Sequence, residues 1–182
     1  MLTEITKLDN RLKDVKSIFE SLEFLGSNSD MSANFYQLER DFFSKYVERK
    51  HDKSFWGWYG TETECETWHV DMNNETHREF DMLLCAYPSP TLILDMPNQD
   101  HFACPYNSKL NTQHDIHDSV ENLIKTQKLR VIEPKPGDVY YLPASTIHRI
   151  NPKDIGVKHL CLRTYKPLLK KEWINVHKTT NI

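Results

Sequence analysis

The chain has 182 residues, a length typical of one compact domain with room for a sizeable hydrophobic core. Its 23 basic and 26 acidic residues give a formal net charge of −3, so no overall positive field favours nucleic acid or an anionic membrane. Its five glycines are spaced neither as the G-x-G-x-x-G dinucleotide fingerprint nor as the G-x-x-x-x-G-K-[ST] phosphate loop, which excludes both kinds of nucleotide site.

Two amphipathic helices are predicted at the N-terminal end of the chain. From residue 7 to 24 apolar side chains recur at steps of three and four residues, and Gly26 ends the pattern. A second helix is predicted from a cap near Ser32 to about residue 50. The side chains expected on its inner face are Phe35, Leu38, Phe42, Phe43, Tyr46 and Val47. We interpret residues 1–52 as a helical support for the rest of the domain.

Short β-rich runs separated by prolines follow after residue 52. The eight predicted strands are 55–59, 66–71, 80–87, 91–94, 129–132, 139–142, 146–150 and 157–165. Helices followed by many short strands predict a mainly β fold with helices (α+β), in which an antiparallel sandwich or barrel carries the helices outside. We expect a single domain over 1–182, with its β core at 53–166 and a basic, solvated tail at 167–182.

A polar insertion at 96–128 interrupts the strands, and a helix is predicted over its last part, 119–128. A loop this long in a compact domain is usually functional, so we interpret the insertion as a lid. His114 and His117 lie within it at a spacing of three. We interpret their surroundings as a surface loop in which Asp118 caps the helix, and a second metal site there is the weaker alternative.

Two separated segments supply candidate metal ligands among the nine histidines of the chain. In the predicted strand around Trp68-His69-Val70-Asp71, His69 and Asp71 project from the same face because they are two residues apart. A Pro-Gly-Asp turn at 136–138 then precedes a hydrophobic strand, a loop and a strand that carries His148. Two histidines and one carboxylate bind one face of Fe(II) and leave positions open for substrates and O₂.

Together these segments resemble the Fe(II)/2-oxoglutarate-dependent dioxygenase superfamily. The turn, the strand ending in proline and the following His-Arg pair are similar to its closing hairpin, and residues 137–149 also resemble its Jumonji-type branch. The resemblance covers residues 55–166 and implies a double-stranded β-helix, a jelly-roll or cupin-like barrel. It implies that His69, Asp71 and His148 bind the iron. Because Asp71 keeps the carboxylate that the halogenases of this superfamily lack, the resemblance favours a hydroxylase or a desaturase.

The resemblance also implies a basic residue for the far carboxylate of 2-oxoglutarate, some ten to fifteen positions beyond the last histidine. Arg163 and Lys158 meet this spacing, and Arg163 is favoured because its planar fork binds a carboxylate through two bonds from within an apolar run. Arg149 and Lys166 are weaker alternatives. Arg149 directly follows His148, so we expect it on the opposite face of the strand in an outer ion pair.

Hydroxyl groups near the predicted barrel are weaker candidates for binding the cosubstrate. Tyr87, Thr91 and Tyr165 lie on or beside its strands, although ordinary packing is the favoured interpretation for each. The aromatic cluster at 55–59 precedes the first metal strand and suits either a pocket wall or the barrel core.

The implied activity is hydroxylation of a C–H bond in a small-molecule substrate, with Fe(II), 2-oxoglutarate and O₂ consumed and succinate and CO₂ released. A cupin-type metal enzyme that does not use 2-oxoglutarate, and a non-catalytic β-helix binding module, are the alternatives. The N-terminal residues lack a signal-peptide pattern, and no apolar run approaches the roughly 18 residues of a membrane span. We therefore expect a soluble cytoplasmic protein. Its cysteines, which stand singly, are interpreted as buried free thiols.

Overall fold

The computed structural model describes residues 2, 4–22, 33–48, 55–60, 67–70, 72–73, 78–79, 81–95, 113–127, 129–144, 146–154, 156–165 and 167–175. The strands are β1 (Thr6–Asn10), β2 (Phe55–Gly60), β3 (Met72–Asn73), β4 (Arg78–Glu79), β5 (Met82–Tyr87), β6 (Thr91–Asp95), β7 (Arg130–Ile132), β8 (Asp138–Leu142), β9 (His148–Ile150) and β10 (His159–Tyr165). The helices are α1 (Leu12–Ser21), α2 (Ala33–Phe43), α3 (Gln113–Gln127) and α4 (Lys171–Asn175), and a short 3₁₀ turn covers Pro152–Asp154.

The protein is a mixed α/β structure built mostly from antiparallel sheets. The larger of the two main sheets has five strands in the order β1-β8-β5-β10-β2, and the smaller has three in the order β7-β6-β9; β3 and β4 form a separate two-stranded sheet. All of these pairings are antiparallel. Seven of the eight predicted runs contain a strand. The run 66–71 contributes only His69, which forms an isolated antiparallel bridge with His148, among its described residues.

The two faces of the larger sheet have different partners because side chains alternate along each strand. On one face, Leu83, Val139 and Leu162 join α1 and α2 in a hydrophobic core. On the opposite face, Leu84 and Cys161 pack with Ile93 of the smaller sheet in a second core. We call this second surface the inner face of the larger sheet. The two sheets therefore share an apolar interior, and the N-terminal helices cover one sheet from outside.

Helix α3 covers the outer face of the smaller sheet. Its Val120 is fully buried and belongs to a third core with Trp68, Leu92, Leu94 and Ile147. The helix begins six residues earlier than the prediction of 119–128, so His114 to Asp118 lie in its first turns and not in a surface loop. Residues 96–112, which carry most of the predicted lid, lie outside the described residues.

The first predicted helix was too long at its beginning. Residues Thr6–Asn10 form the edge strand β1, which pairs with β8. Leu8 is buried, and one buried leucine fits either the apolar stripe of a helix or a strand that buries a single side chain. The spacing of apolar residues therefore could not distinguish a helix from a strand here. Exposed Leu12 shows that the apolar stripe is interrupted there. The segment 1–52 thus contributes a strand as well as helical support.

The second predicted helix and the tail also differ from the sequence-based prediction. Helix α2 ends at Phe43, well before residue 50. Of its predicted inner residues, Phe42, Phe43, Tyr46 and Val47 are buried as expected, whereas Leu38 is exposed. The described part of the tail is packed only in part: Leu169 bridges to Val47 and the Trp173 ring lies 5.1 Å from the ring of Tyr46, whereas Leu168, Lys171 and Glu172 are exposed.

The Pro-Gly-Asp turn requires its glycine. Gly137 has φ of 84°, in the left-handed region that favours glycine. A Cβ at this position would overlap the backbone of Leu12. The Gly137 N–H donates to the Ala86 carbonyl (2.8 Å), and the Gly137 carbonyl accepts from the Arg11 N–H (3.0 Å). The turn thereby joins the start of β8 to α1 and to the end of β5.

Candidate active site

His69 and His148 lie directly opposite each other in an antiparallel bridge. Their backbones exchange both hydrogen bonds at 3.0 Å, and their rings lie with centroids 4.6 Å apart. His148 pairs with Ile93, a residue of the core between the two sheets. Because directly paired residues project to the same side of a sheet, both imidazoles face the space between the sheets. Only 5% of His69 and 1% of His148 is exposed.

Both rings are held in the same way by the backbone. Nδ1 of His69 lies 2.7 Å from the Thr67 carbonyl oxygen, and Nδ1 of His148 lies 3.0 Å from the Thr146 carbonyl oxygen. A carbonyl oxygen only accepts, so each Nδ1 carries the proton and donates it. In the neutral ring the lone pair is then on Nε2. This arrangement is common in histidine ligands of metals, where the hydrogen bond orients the ring and increases its basicity.

The third predicted ligand, Asp71, lies outside the described residues. Within the part of the chain that the structure describes, no group of three histidine, cysteine or acidic side chains is arranged to hold a metal ion. The structure therefore brings together two of the three predicted ligands, His69 and His148. Two imidazoles, together with a carboxylate two residues beyond His69 in the sequence, are donor types that suit Fe(II).

Arg163 lies on the inner face of the larger sheet. Its side chain is 3% exposed, and its Nε donates to Sγ of Cys161 at 3.1 Å on the same side of β10. Lys158, the alternative candidate, precedes β10 and is exposed. Of the two cations, only Arg163 is thus enclosed between the sheets. The third alternative, Lys166, lies outside the described residues.

Of the three hydroxyl candidates, Tyr165 is partly buried and packs against the core between the two sheets. The other two, Tyr87 and Thr91, lie on different sides of the larger sheet. Tyr87 packs on the helix-covered face, where its ring meets Phe19 of α1 edge-on at 5.3 Å. The structure therefore does not bring Tyr87 together with Arg163. Thr91 is buried on β6 and lines a small cavity with Asp138 and Tyr140 of β8. The side chains of the aromatic cluster at 55–59 lie outside what the structure describes.

His159 is a buried histidine that sequence reasoning did not single out. Nδ1 of His159 lies 3.0 Å from the Val157 carbonyl oxygen, the same local hydrogen bond that holds His69 and His148. It stands four residues before Arg163 on one strand, hence on the same face. Burial lowers the pKa of His159, and the positive charge of Arg163 lowers it further. Its even spacing from Arg163 in a predicted strand was the signal that could have identified it.

The neighbours of the two histidines in the chain face outward. The Arg149 guanidinium lies 4.4 Å from the centre of the Trp68 ring and forms an ion pair with Glu121 of α3 at 2.9 Å. The prediction that Arg149 points away from the site into an outer ion pair is therefore confirmed. His117 does not stand free in a surface loop, because its Nδ1 accepts the backbone N–H of Trp68 at 3.2 Å.

Comparison of the sequence with models of protein families and with curated proteins found no match. None of the helices in the described ranges is long and apolar enough to cross a membrane.

Proposed function

We propose that this protein is an Fe(II)- and 2-oxoglutarate-dependent oxygenase that hydroxylates a C–H bond of a small molecule. The observation that carries the proposal is the histidine pair. His69 and His148 come from segments 79 positions apart, yet they meet in one bridge, and each presents Nε2 as the acceptor nitrogen. Buried polar side chains are costly in an apolar interior, so two neighbouring imidazoles there favour a function over ordinary packing.

We further propose that the β core is a double-stranded β-helix. In support, two antiparallel sheets enclose a common apolar interior. The chain passes from the larger sheet to the smaller between β5 and β6, returns between β7 and β8, and crosses twice more through β9 to β10. The bridge at His69 adds a further antiparallel partner beside β9. Repeated crossing between two facing sheets is typical of jelly-roll and cupin barrels.

His69, His148 and Asp71 would hold the iron. The two imidazoles fit this role because their tautomers are set by the Thr67 and Thr146 carbonyls. The carboxylate of Asp71 follows His69 by two residues, the spacing at which an extended segment projects both side chains to one side. When bound, Fe(II) supplies the oxidative chemistry that couples decarboxylation of 2-oxoglutarate to insertion of one oxygen atom of O₂ into a C–H bond.

Arg163 would bind the far carboxylate of 2-oxoglutarate. A guanidinium on the inner face offers two parallel N–H donors to a carboxylate, and the low exposure of Arg163 strengthens that attraction. The surrounding residues Leu84 and Cys161 are apolar or weakly polar and exclude water from the same interior. Exclusion of water protects an oxidising site from side reactions. Together the cation and the apolar walls favour a dicarboxylate with an apolar chain.

The proposal is tested by adding 2-oxoglutarate to the full chain loaded anaerobically with Fe(II). We expect a weak visible charge-transfer band, the signature of 2-oxoglutarate chelated to Fe(II). The band should be lost in His69→Ala and His148→Ala because each variant removes a metal ligand. Arg163→Met should raise the 2-oxoglutarate concentration needed for half-maximal absorbance at least tenfold. Lys158→Ala, which removes an exposed cation near the same strand, is the matched control and should leave the titration unchanged.

Each alternative gives a different result. Wild-type protein that binds Fe(II) but gives no band with 2-oxoglutarate would overturn the proposed cosubstrate and support a cupin-type metal enzyme. Wild-type protein that binds no divalent metal, with His69→Ala unchanged in stability when metal is added, would support a binding module. A titration that shifts in Lys158→Ala and not in Arg163→Met would reassign the carboxylate clamp.

A further inference from the structure

We propose that Glu121 of α3 is a positioning residue that aligns His69 with His148 from the outer face of the smaller sheet. The inference rests on the proposed function of the histidine pair as metal ligands. Glu121 contacts neither histidine. It acts on the residues next to them, Trp68 and Arg149, which alternation places on the opposite face.

One carboxylate oxygen joins the two segments that carry the histidines. Oε1 of Glu121 accepts a hydrogen bond from Nε1 of the Trp68 indole at 3.0 Å and forms the 2.9 Å ion pair with Nη1 of Arg149. The guanidinium also stacks over the Trp68 ring, a favourable cation–π contact. Trp68, Arg149 and Glu121 therefore form a closed triangle of contacts, which we call the outer brace.

A second bond fixes the backbone of the same segment. His117 stands four residues before Glu121, so both side chains leave the same face of α3. Nδ1 of His117 accepts the Trp68 backbone N–H at 3.2 Å. Helix α3 thus holds Trp68 by its main chain and by its indole, and it holds Arg149 by its guanidinium.

The segment of His69 needs such support because it has little of its own. Within the described residues 67–70, its only strand pairing is the single bridge to His148. A single bridge leaves the neighbouring residues without ladder hydrogen bonds, whereas a metal site requires its ligands within about 0.5 Å of the productive geometry. The outer brace joins the two bridged segments through Trp68 and Arg149, the residues next to the bridge. It thereby limits the rotation of one histidine relative to the other.

The burial of the brace makes its charges effective. Arg149 and Glu121 have side chains that are 16% and 29% exposed, so the pair is only partly screened by water. Removal of Glu121 leaves both the indole N–H and the guanidinium without this acceptor, and both side chains are then free to shift with the strands that carry them.

The test is metal affinity, measured with Co²⁺ through its visible absorption in full-length wild type, Glu121→Ala, Glu121→Gln and Val15→Ala. Val15→Ala is the stability-matched control, because Val15 is fully buried in α1 on the far side of the larger sheet. We expect Glu121→Ala to weaken Co²⁺ binding about tenfold, the lower end of the effect of residues that orient metal ligands. Val15→Ala should stay within about twofold of wild type despite its lower stability. Glu121→Gln, which keeps an oxygen acceptor, should fall between.

A second readout needs no metal. The backbone amides of His69 and His148 donate the two bridge hydrogen bonds. In metal-free protein their hydrogen exchange should accelerate more in Glu121→Ala than in Val15→Ala, after both are corrected for global stability. If Glu121→Ala does not fold, Arg149→Lys, which keeps the charge but loses the planar stack, carries both measurements.

The outcomes separate the brace from the proposed function. Equal losses of affinity and of amide protection in Glu121→Ala and Val15→Ala would overturn the positioning role and make Glu121 a structural residue only. If wild-type protein binds no Co²⁺, the proposed function fails. The amide-exchange comparison then still decides whether the brace holds the bridge.

Discussion

Glu39 gives the sharpest prediction about stability. Its side chain is fully buried on α2, on the same helical face as Phe42 and Phe43, and among the described residues neither carboxylate oxygen has a hydrogen-bond partner. Burial raises the pKa of Glu39 to about 8 from an ordinary value of 4.5, although the charge of Arg40 opposes this. The native state therefore keeps Glu39 protonated at neutral pH, whereas the unfolded state releases the proton.

The sign and size of the effect follow from this difference in bound protons. Between pH 4.5 and about pH 8 the native state holds one more proton at Glu39 than the unfolded state does, so this group lowers stability as pH rises. Each pH unit corresponds to about 1.4 kcal/mol, which gives about 5 kcal/mol across the window. Below pH 4.5 the group has no such effect, and above pH 8 the penalty is complete.

We predict that Glu39→Gln removes this slope. The free energy of unfolding, measured by urea denaturation from pH 5 to pH 9, should rise in Glu39→Gln relative to wild type by an amount that grows with pH. The amide in Glu39→Gln also lacks hydrogen-bond partners, but the free-energy cost of burying it does not change with pH. The informative quantity is therefore the slope of the free energy of unfolding against pH. Glu20→Gln on α1, whose side chain is 63% exposed, is the control and should show no such trend. A constant difference between Glu39→Gln and wild type over the whole range would refute the buried, protonated carboxyl.

Three further predictions concern the turn, the interior histidine and the carboxylate clamp. Gly137→Ala should lower the free energy of unfolding by more than the roughly 1–3 kcal/mol that a left-handed backbone costs, because its Cβ would also overlap Leu12. Gly156→Ala, with φ of 79° and open space around it, should show only the cost of the left-handed backbone in the same urea assay. Since burial lowers the pKa of His159, its ring should titrate below pH 6.5 when followed by NMR. This histidine should therefore lower the free energy of unfolding only as pH falls below 6.5, where the unfolded state binds the proton first. Titration above pH 6.5 would contradict its burial. With Fe(II) bound, 2-oxoglutarate at a hundredfold excess over its dissociation constant for wild type should stabilise the fold by about 2.7 kcal/mol in thermal unfolding. At the same 2-oxoglutarate concentration Arg163→Met should gain less stability, and equal gains would exclude the clamp.

Most strands were predictable because their apolar runs are short and bounded by proline or glycine. The inner position of Arg163 followed from the same reasoning, since a cation inside an apolar run has to be enclosed by the sheet. The outward position of Arg149 followed from its place after His148. These are local properties of strands, in which alternation alone decides the face.

The errors arose where tertiary contacts override local pattern. Residues Thr6–Asn10 fit a helical stripe, yet they became a strand because the edge of β8 offered a ladder of hydrogen bonds. Leu38 points outward while Glu39 is buried, an inversion that no hydrophobic pattern predicts. The early part of α3 includes His117, whose bond to the Trp68 N–H joins it to a distant part of the sequence that a local pattern does not register.

The alternation of side chains also connects the chemistry of the site to its support. His69 and His148 face the interior, whereas the residues next to them, Trp68 and Arg149, face α3. On the proposed role of the outer brace, a substitution on the outer face is expected to alter the geometry of the inner face without entering the site. The larger sheet has a corresponding division, because Arg163 faces the interior while Leu162 packs toward α1 and α2. Metal affinity should thus respond to changes beneath α3 and be insensitive to changes beneath α1, even when both lower stability equally.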